Sequence, residues 1–132
     1  MDDKTAIVAR LPIFARLEGR SLEAIATLAQ LVSMPAGTVL KGEAAESFYV
    51  IVTGTVHVTR NGEFVRSMSD GGFLGEIAVV EETTHTATVT CATACEFVQL
   101  GRYEFGRVMA RFPDVGARID AAVARRPHQR TG

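Results

Sequence analysis

The pattern of apolar positions changes period twice along the chain. Residues 21–33, "SLEAIATLAQLVS", place Leu22, Ile25, Leu28, Ala29 and Val32 at helical spacing. Ser21 suits the N-cap of that helix, and Glu23 lies near its positive end. Upstream, "LPIFARLEG" carries Leu11, Ile13, Phe14 and Leu17, and Pro12 interrupts them. This predicts a short helical turn leading in from a first helix over residues 3–10. From Met34 the period becomes two. "PAGTVLKGE" has turn residues at both ends, and "SFYVIVTGTVHVTRNGEFVRSM" reads as paired strands. Within it Val56 and Val58 alternate with Thr55, His57 and Thr59, and Asn61-Gly62 signals a type I′ hairpin turn. "TATVTCATA" and "CEFVQL" predict two further short strands. Helical spacing then returns in "RYEFGRVMARF" up to Pro113 and in "DVGARIDAAVARR" up to Pro127.

Helices, then many short antiparallel strands with glycine turns, then helices again predict an antiparallel β-roll of jelly-roll type. Its helices are segregated to the two ends. The expected division is 1–33 for the N-terminal helices, 34–101 for the roll and 102–126 for two C-terminal helices. Residues 127–132 are read as a frayed tail rather than a basic partner-binding patch. A chain of 132 residues with 47% hydrophobic content is one domain with a proper core.

Charge and composition narrow the function. A net charge of −1 and a pI near 6.3 give no global attraction to nucleic acid or to an anionic membrane. No apolar run approaches the roughly 20 residues of a membrane span. The start, "MDDKTAIVAR", lacks the basic opening and apolar centre of a secretory signal. Cys91 and Cys95 are too few for a disulfide scaffold and fall short of the roughly four thiolates of an iron–sulfur site. They read as small core residues in a cytoplasmic protein. His57, His85 and His128 are far apart in sequence, and no His-x-His plus Glu spacing occurs. Neither a metal site nor an enzyme is expected.

One stretch does not fit the strand pattern. "GGFLGEIAVVEETTHTATV", residues 71–89, has Gly71, Gly72 and Gly75 within five residues, then Glu76 and a short apolar run. "GEIAVV" reads as one helical turn starting at Gly75. Such a turn leaves converging backbone N–H groups, which suit an anion such as a phosphate diester. The glycines let backbone approach a ligand without Cβ interference. Glu76 would repel the phosphate itself, so it fits a neutral hydroxyl donor beside it, and Thr86 could close the other side. An anion next to a hydroxyl is the surface of a ribose phosphate. The plainer alternative is a glycine-rich turn between two strands with a solvated Glu76.

These residues resemble the phosphate-binding cassette of cyclic-nucleotide-binding domains, the family of bacterial catabolite activators and kinase regulatory subunits. The family pattern is Phe-x-Gly-Glu-(Leu/Ile)-Ala, several variable residues, then Arg-(Ala/Ser/Thr)-Ala-(Thr/x)-Val. Phe73, Gly75, Glu76, Ile77 and Ala78 fit its first half; Thr86, Ala87, Thr88 and Val89 fit its second. The resemblance extends to "LPIFARL" as the helical entry, "PAGTVLKGE" as the first strand and turn, "FYVIVTGTVHV" as central strands around Gly54, and "GRYEF" as the last strand entering the hinge helix. It implies a small-molecule ligand, cAMP or cGMP, held by Gly75, Glu76, Ile77, Ala78, Thr86 and Ala87. It also implies a lid formed by the last helices, with Arg118, Ile119 and Ala122 as its candidates.

The departure from the pattern is His85, which stands where the family has the arginine that pairs with the cyclic phosphate. A guanidinium is always charged and grips two oxygens, whereas an imidazole is partly protonated and offers one donor in that direction. The expected function is a cyclic-nucleotide sensor domain with weakened affinity. The alternative is a degenerate, ligand-free fold that acts as a protein-interaction module. Arg66 alternates with Phe64 and Met68, so it could point inside the roll and supply the missing charge; a twist or bulge would put it on the surface instead. Thr86 hints weakly at cGMP. Family regulators usually continue into a helix-turn-helix domain; nothing here reads as a recognition helix, so no DNA binding is expected. An unidentified protein partner is expected to read the sensor. Val115, Ile119, Ala122 and Val123 form a stripe that a homodimer or core packing would explain equally well.

Overall fold

The computed structural model of the chain describes residues 2–40, 47–75 and 87–125. Helix α1, Asp3–Arg10, starts where the Asp2 carboxylate accepts the Thr5 N–H at 2.8 Å, and it buries Thr5 and Val8. A 3₁₀ turn, Pro12–Phe14, buries Ile13 and Phe14, with proline at its first position. Helix α2, Gly19–Leu28, buries Leu22, Ile25 and Ala26.

Here the structure corrects the sequence reading. Ser21 lies inside α2, whose N-cap is Glu18 with no side-chain cap bond. The helix ends before Ala29, and β1 begins at Gln30, so Val32 pairs with Phe97 in a strand. A helical period continued through residues 28–32 by coincidence, and long-range pairing overrode it. The roll therefore begins four residues before the expected boundary.

Eight strands follow among the described residues: β1 Gln30–Met34, β2 Val39–Leu40, β3 Phe48–Thr53, β4 Val56–Arg60, β5 Glu63–Met68, β6 Phe73–Leu74, β7 Ala87–Cys91 and β8 Cys95–Leu100. They form two antiparallel four-stranded sheets, in the orders β1-β8-β3-β6 and β2-β7-β4-β5. Strands β3 and β4, adjacent in sequence and expected to pair, lie in different sheets, and the chain crosses between them at Gly54. The β4–β5 hairpin does turn at Asn61-Gly62, with φ of 52° and 82°, the two positive values that a type I′ turn demands. Helices α3, Arg102–Arg111, and α4, Pro113–Ala124, are the last elements among the described residues. "GRYEF" is thus helix from Arg102 rather than a last strand.

The core has two parts. One packs α1, α2, the 3₁₀ turn, α3 and α4 against Phe48, Val50, Phe73, Val98 and Leu100 of the first sheet. The other lies between the sheets, with Tyr49, Ile51, Leu74, Cys95 and Phe97 meeting Leu40, Val56 and Cys91. Strand β3 alternates between the two cores, so Phe48–Ile51 are all buried. The second sheet is buried on one face; His57 on its other face is exposed, while Val56 and Val58 are inside. Val115 and Ile119 of α4 are buried in the helix-side core, with Ala122 and Val123 packed on it. The apolar stripe of the last helix is therefore used within the chain.

Candidate ligand site between the two sheets

The glycine-rich stretch leaves the first sheet at Gly75 and re-enters the second at Ala87. Glu76, Ile77, Ala78, His85 and Thr86 lie outside the described residues, as does the expected helical turn. Of the expected cassette residues, the two ends are described.

At the first end, β6 pairs with β3 through Tyr49↔Leu74 and Val50↔Phe73. Leu74 faces the space between the sheets, so Phe73 must face the other way. It is buried in the helix-side core, with its ring 5.8 Å from that of Phe48. The family pattern makes Phe73 a possible ligand contact; alternation along a two-residue strand packs it in the helix-side core. Gly75 has φ of 94°, and a Cβ there would overlap the carbonyl oxygen of Ser47. The close approach that requires glycine at this position is to the chain's own backbone.

Beside that point lies a polar group that pattern reading did not single out. Gln99 Nε2 donates to Ser47 Oγ at 3.0 Å and to Tyr49 Oη at 3.4 Å. Burial pushes the Tyr49 phenol above its ordinary value, and the bond to Ser47 opposes part of that shift. These three polar side chains sit on the inner face of the first sheet, next to the start of the cassette. The available signal was polar residues at inward positions of strands whose neighbours are all apolar.

At the second end, β7 pairs with β4 in unbroken register: Val56↔Cys91, Val58↔Val89, Arg60↔Ala87. Arg60 is therefore on the same face as Val56 and Val58, toward the space between the sheets. On the other side of β4, Val56↔Met68 and Val58↔Arg66 put Arg66 on this inner face as well. A register shift between Val58 and Thr59 then pairs Thr59 with Phe64. This bulge sends Phe64 outside, where it is 63% exposed against His57. The expected shared face of Phe64, Arg66 and Met68 thus holds for Arg66 and Met68, and the bulge removes Phe64 instead of Arg66. Both arginines are half-buried.

The lid candidates are drawn elsewhere. Arg118 Nη1 donates to the carbonyl oxygens of Ile13 at 3.0 Å and Ala15 at 2.5 Å, fastening α4 to the 3₁₀ turn. Ile119 is buried in the helix-side core, and Ala122 packs against it. In this arrangement α4 serves the N-terminal helices. Among the described residues no group of His, Cys, Asp or Glu could hold a metal, and no helix is long and apolar enough to cross a membrane.

The cysteines are both buried, and Ala92–Ala94 turn the chain between them. Cys95 Sγ donates to the carbonyl oxygens of Thr93 at 3.3 Å and Thr55 at 3.4 Å. Burial, with a lesser contribution from the neighbouring Cys95 thiol, pushes Cys91 up to about 11. A thiol held protonated in this way is a poor nucleophile.

Comparison with known proteins agrees with this geometry. The cyclic nucleotide-binding domain family matches residues 31–112. The chain is 32% identical over 92 residues to the cAMP-dependent protein kinase regulatory subunit of Yarrowia lipolytica, covering 68% of this chain and 24% of that protein. It is 35% identical over 92 residues to the cAMP-activated global transcriptional regulator CRP of Escherichia coli, covering 65% and 44% respectively. In three dimensions it is similar to a cAMP-binding acyltransferase from Mycobacterium smegmatis, with a TM-score of 0.71 and 27% sequence identity. That alignment takes in 88% of this chain and 39% of the acyltransferase. The chain thus spans less than half the length of each.

Proposed function

Because the chain belongs to the cyclic nucleotide-binding domain family, we propose that it is a regulatory sensor domain that binds cAMP or cGMP weakly between its two sheets. The supporting observation is where the cassette is anchored. Within it, Gly75 adjoins the polar group on the first sheet, and Ala87 adjoins Arg60 on the second. A ligand held by residues 75–87 therefore has hydrogen-bonding groups on one side and cations on the other. Glu76 takes a ribose hydroxyl, while backbone N–H groups, Thr86 and a protonated His85 take the phosphate. Weak binding follows from the single, partly protonated donor at position 85.

The signal is passed on by the C-terminal helices. Fastened through Arg118 to the 3₁₀ turn, α4 and the N-terminal helices move together. A ligand that favours a second placement of α4 shifts the population by its differential affinity for the two placements. In that second placement Arg118, Ile119 and Ala122 approach the ligand, and a protein partner reads the change.

The loss of the family's arginine at position 85 favours a second reading, a ligand-free module that works by protein contact. Titration calorimetry and thermal shift with cAMP and with cGMP separate the two. Heat and a rise in Tm at or below millimolar ligand support the sensor. Neither response at millimolar ligand supports the interaction module.

A further inference from the structure

We propose that Arg60 is a ligand-binding residue: its guanidinium holds the anionic group of the nucleotide from strand β4, replacing the permanent cation that position 85 lacks. The inference rests on the cyclic-nucleotide reading above and adds a residue outside the cassette to its site.

The register places the side chain. Arg60 follows Val56 and Val58 on one face of β4, and its neighbour on β7 is Ala87, two residues beyond His85. That face is apolar from Val56 to Val58 and becomes cationic at Arg60 and, diagonally across β5, at Arg66. A permanent charge on an inward face is unfavourable unless something answers it. Glu63, the register neighbour of Arg60 on β5, is exposed. The Arg60 Nε is shut off from solvent and meets no hydrogen-bond acceptor among the described residues. A buried guanidinium donor without an acceptor is costly, and an anion supplies what it lacks. Arg66 shares the inner face with Arg60. Charge absent from the cassette is in this way present one strand away.

The test uses the full chain. Calorimetry with cAMP and with cGMP compares wild type, Arg60→Met, Arg60→Lys and, as a control, Arg107→Met on the exposed face of α3. Arg60→Met is expected to weaken binding of whichever nucleotide the wild type takes by about 10- to 100-fold. Arg60→Lys, which keeps the charge but loses the fork, should fall between, and Arg107→Met should match wild type. The unliganded Tm of Arg60→Met should stay level or rise, because a donor without an acceptor has been removed. Wild-type affinity in Arg60→Met overturns the assignment and leaves the cyclic-nucleotide reading standing. An unliganded Tm several degrees below wild type in both Arg60 variants assigns the residue to the scaffold and also overturns it. A wild type that takes neither nucleotide overturns both readings together.

Discussion

The two sheets share a strand count and an antiparallel pattern but differ in what covers them. In the first, strands β3, β6 and β8 are covered on both faces, by helices on one side and by the second sheet on the other, while the edge strand β1 is largely exposed. Its strands β3 and β8 therefore read as nearly unbroken apolar runs, "FYVIV" and "CEFVQL". The second sheet is covered on one face, and its strand β4 reads as alternation, "VHVTR". A sheet with two apolar neighbours can hold few polar side chains, so the first is scaffold, apart from the Ser47–Tyr49–Gln99 group at its cassette end. A sheet with one free face and one partly filled face can carry charge inward, as Arg60 and Arg66 do. Placement of chemistry thus follows from how many faces each sheet must bury.

The sharpest test of that difference is a cavity on the first sheet. Phe48 is fully buried, stacked 4.5 Å from Phe105 of α3 and 5.8 Å from Phe73. Phe48→Ala removes a side chain that ties β3 to β6 and α3, and should destabilise by about 3–5 kcal/mol. Urea unfolding measures it. A loss under about 1 kcal/mol would mean that the helices do not close this face.

The asymmetry also decides what was legible in the sequence. Alternation in Val56–Thr59 and the Asn61-Gly62 turn were readable because period and turn chemistry are local. The β3–β4 pairing was misread because an unbroken apolar run does not say which of its faces meets which sheet. The end of α2 was misplaced because Val32 fits both a helix face and a strand paired with Phe97. Phe73 fits the motif as a possible ligand contact, while its register with Val50 turns it toward the helices. Arg60 went unnoticed since an arginine at the end of a strand before Asn-Gly looks like a solvated turn residue. Its direction depends on pairing with Ala87, a contact 27 positions away in the sequence. The cassette is read from its motif, with His85 as its departure, and residues 76–86 lie outside the described residues.

The next largest effect is at position 85, two residues before the second sheet's strand β7 in the sequence. If His85 meets the phosphate, binding favours the protonated ring and raises its pKa in the complex. Affinity is then full below the free-state pKa, about 6.5 for an ordinary imidazole, and is lost as pH rises through the bound-state value. His85→Arg should remove this pH dependence and tighten binding by about 1–3 kcal/mol. Glu76→Ala should weaken binding to either protein. Calorimetry at acid and alkaline pH checks all three. A wild type with pH-independent affinity would shift the phosphate contact wholly to permanent cations such as Arg60.

Where the sheets meet, Cys91 offers a third test. Its thiol stays protonated up to about 11 in the folded chain, against an ordinary 9.0. The folded state therefore binds this proton more tightly than the unfolded state does. Stability from it is complete below pH 9 and is lost as pH rises through 11, by on the order of 1–2 kcal/mol. Cys91→Ala should be less stable at neutral pH but lose less on going alkaline. Burial of Tyr49 adds a separate alkaline loss, common to both proteins. Equal alkaline losses would place Cys91 in contact with water, and the inter-sheet core would not be closed there.

The smallest effect is expected on the one face left uncovered. His57 lies on the outer side of β4, exposed, with its ring edge-on to Phe64 at 5.5 Å. Phe64 is itself 63% exposed, so the pair removes little area from water, and most of what it contributes is the ring contact. His57→Ala should lower stability by about 0.5 kcal/mol, close to the range of ordinary surface changes. The same denaturation measurement, made at several protein concentrations, reads it. A loss above about 2 kcal/mol that grows with protein concentration would mean that another copy of the chain covers this face. The second sheet would then be two-faced like the first, and the contrast that assigns inward charge to it alone would fail.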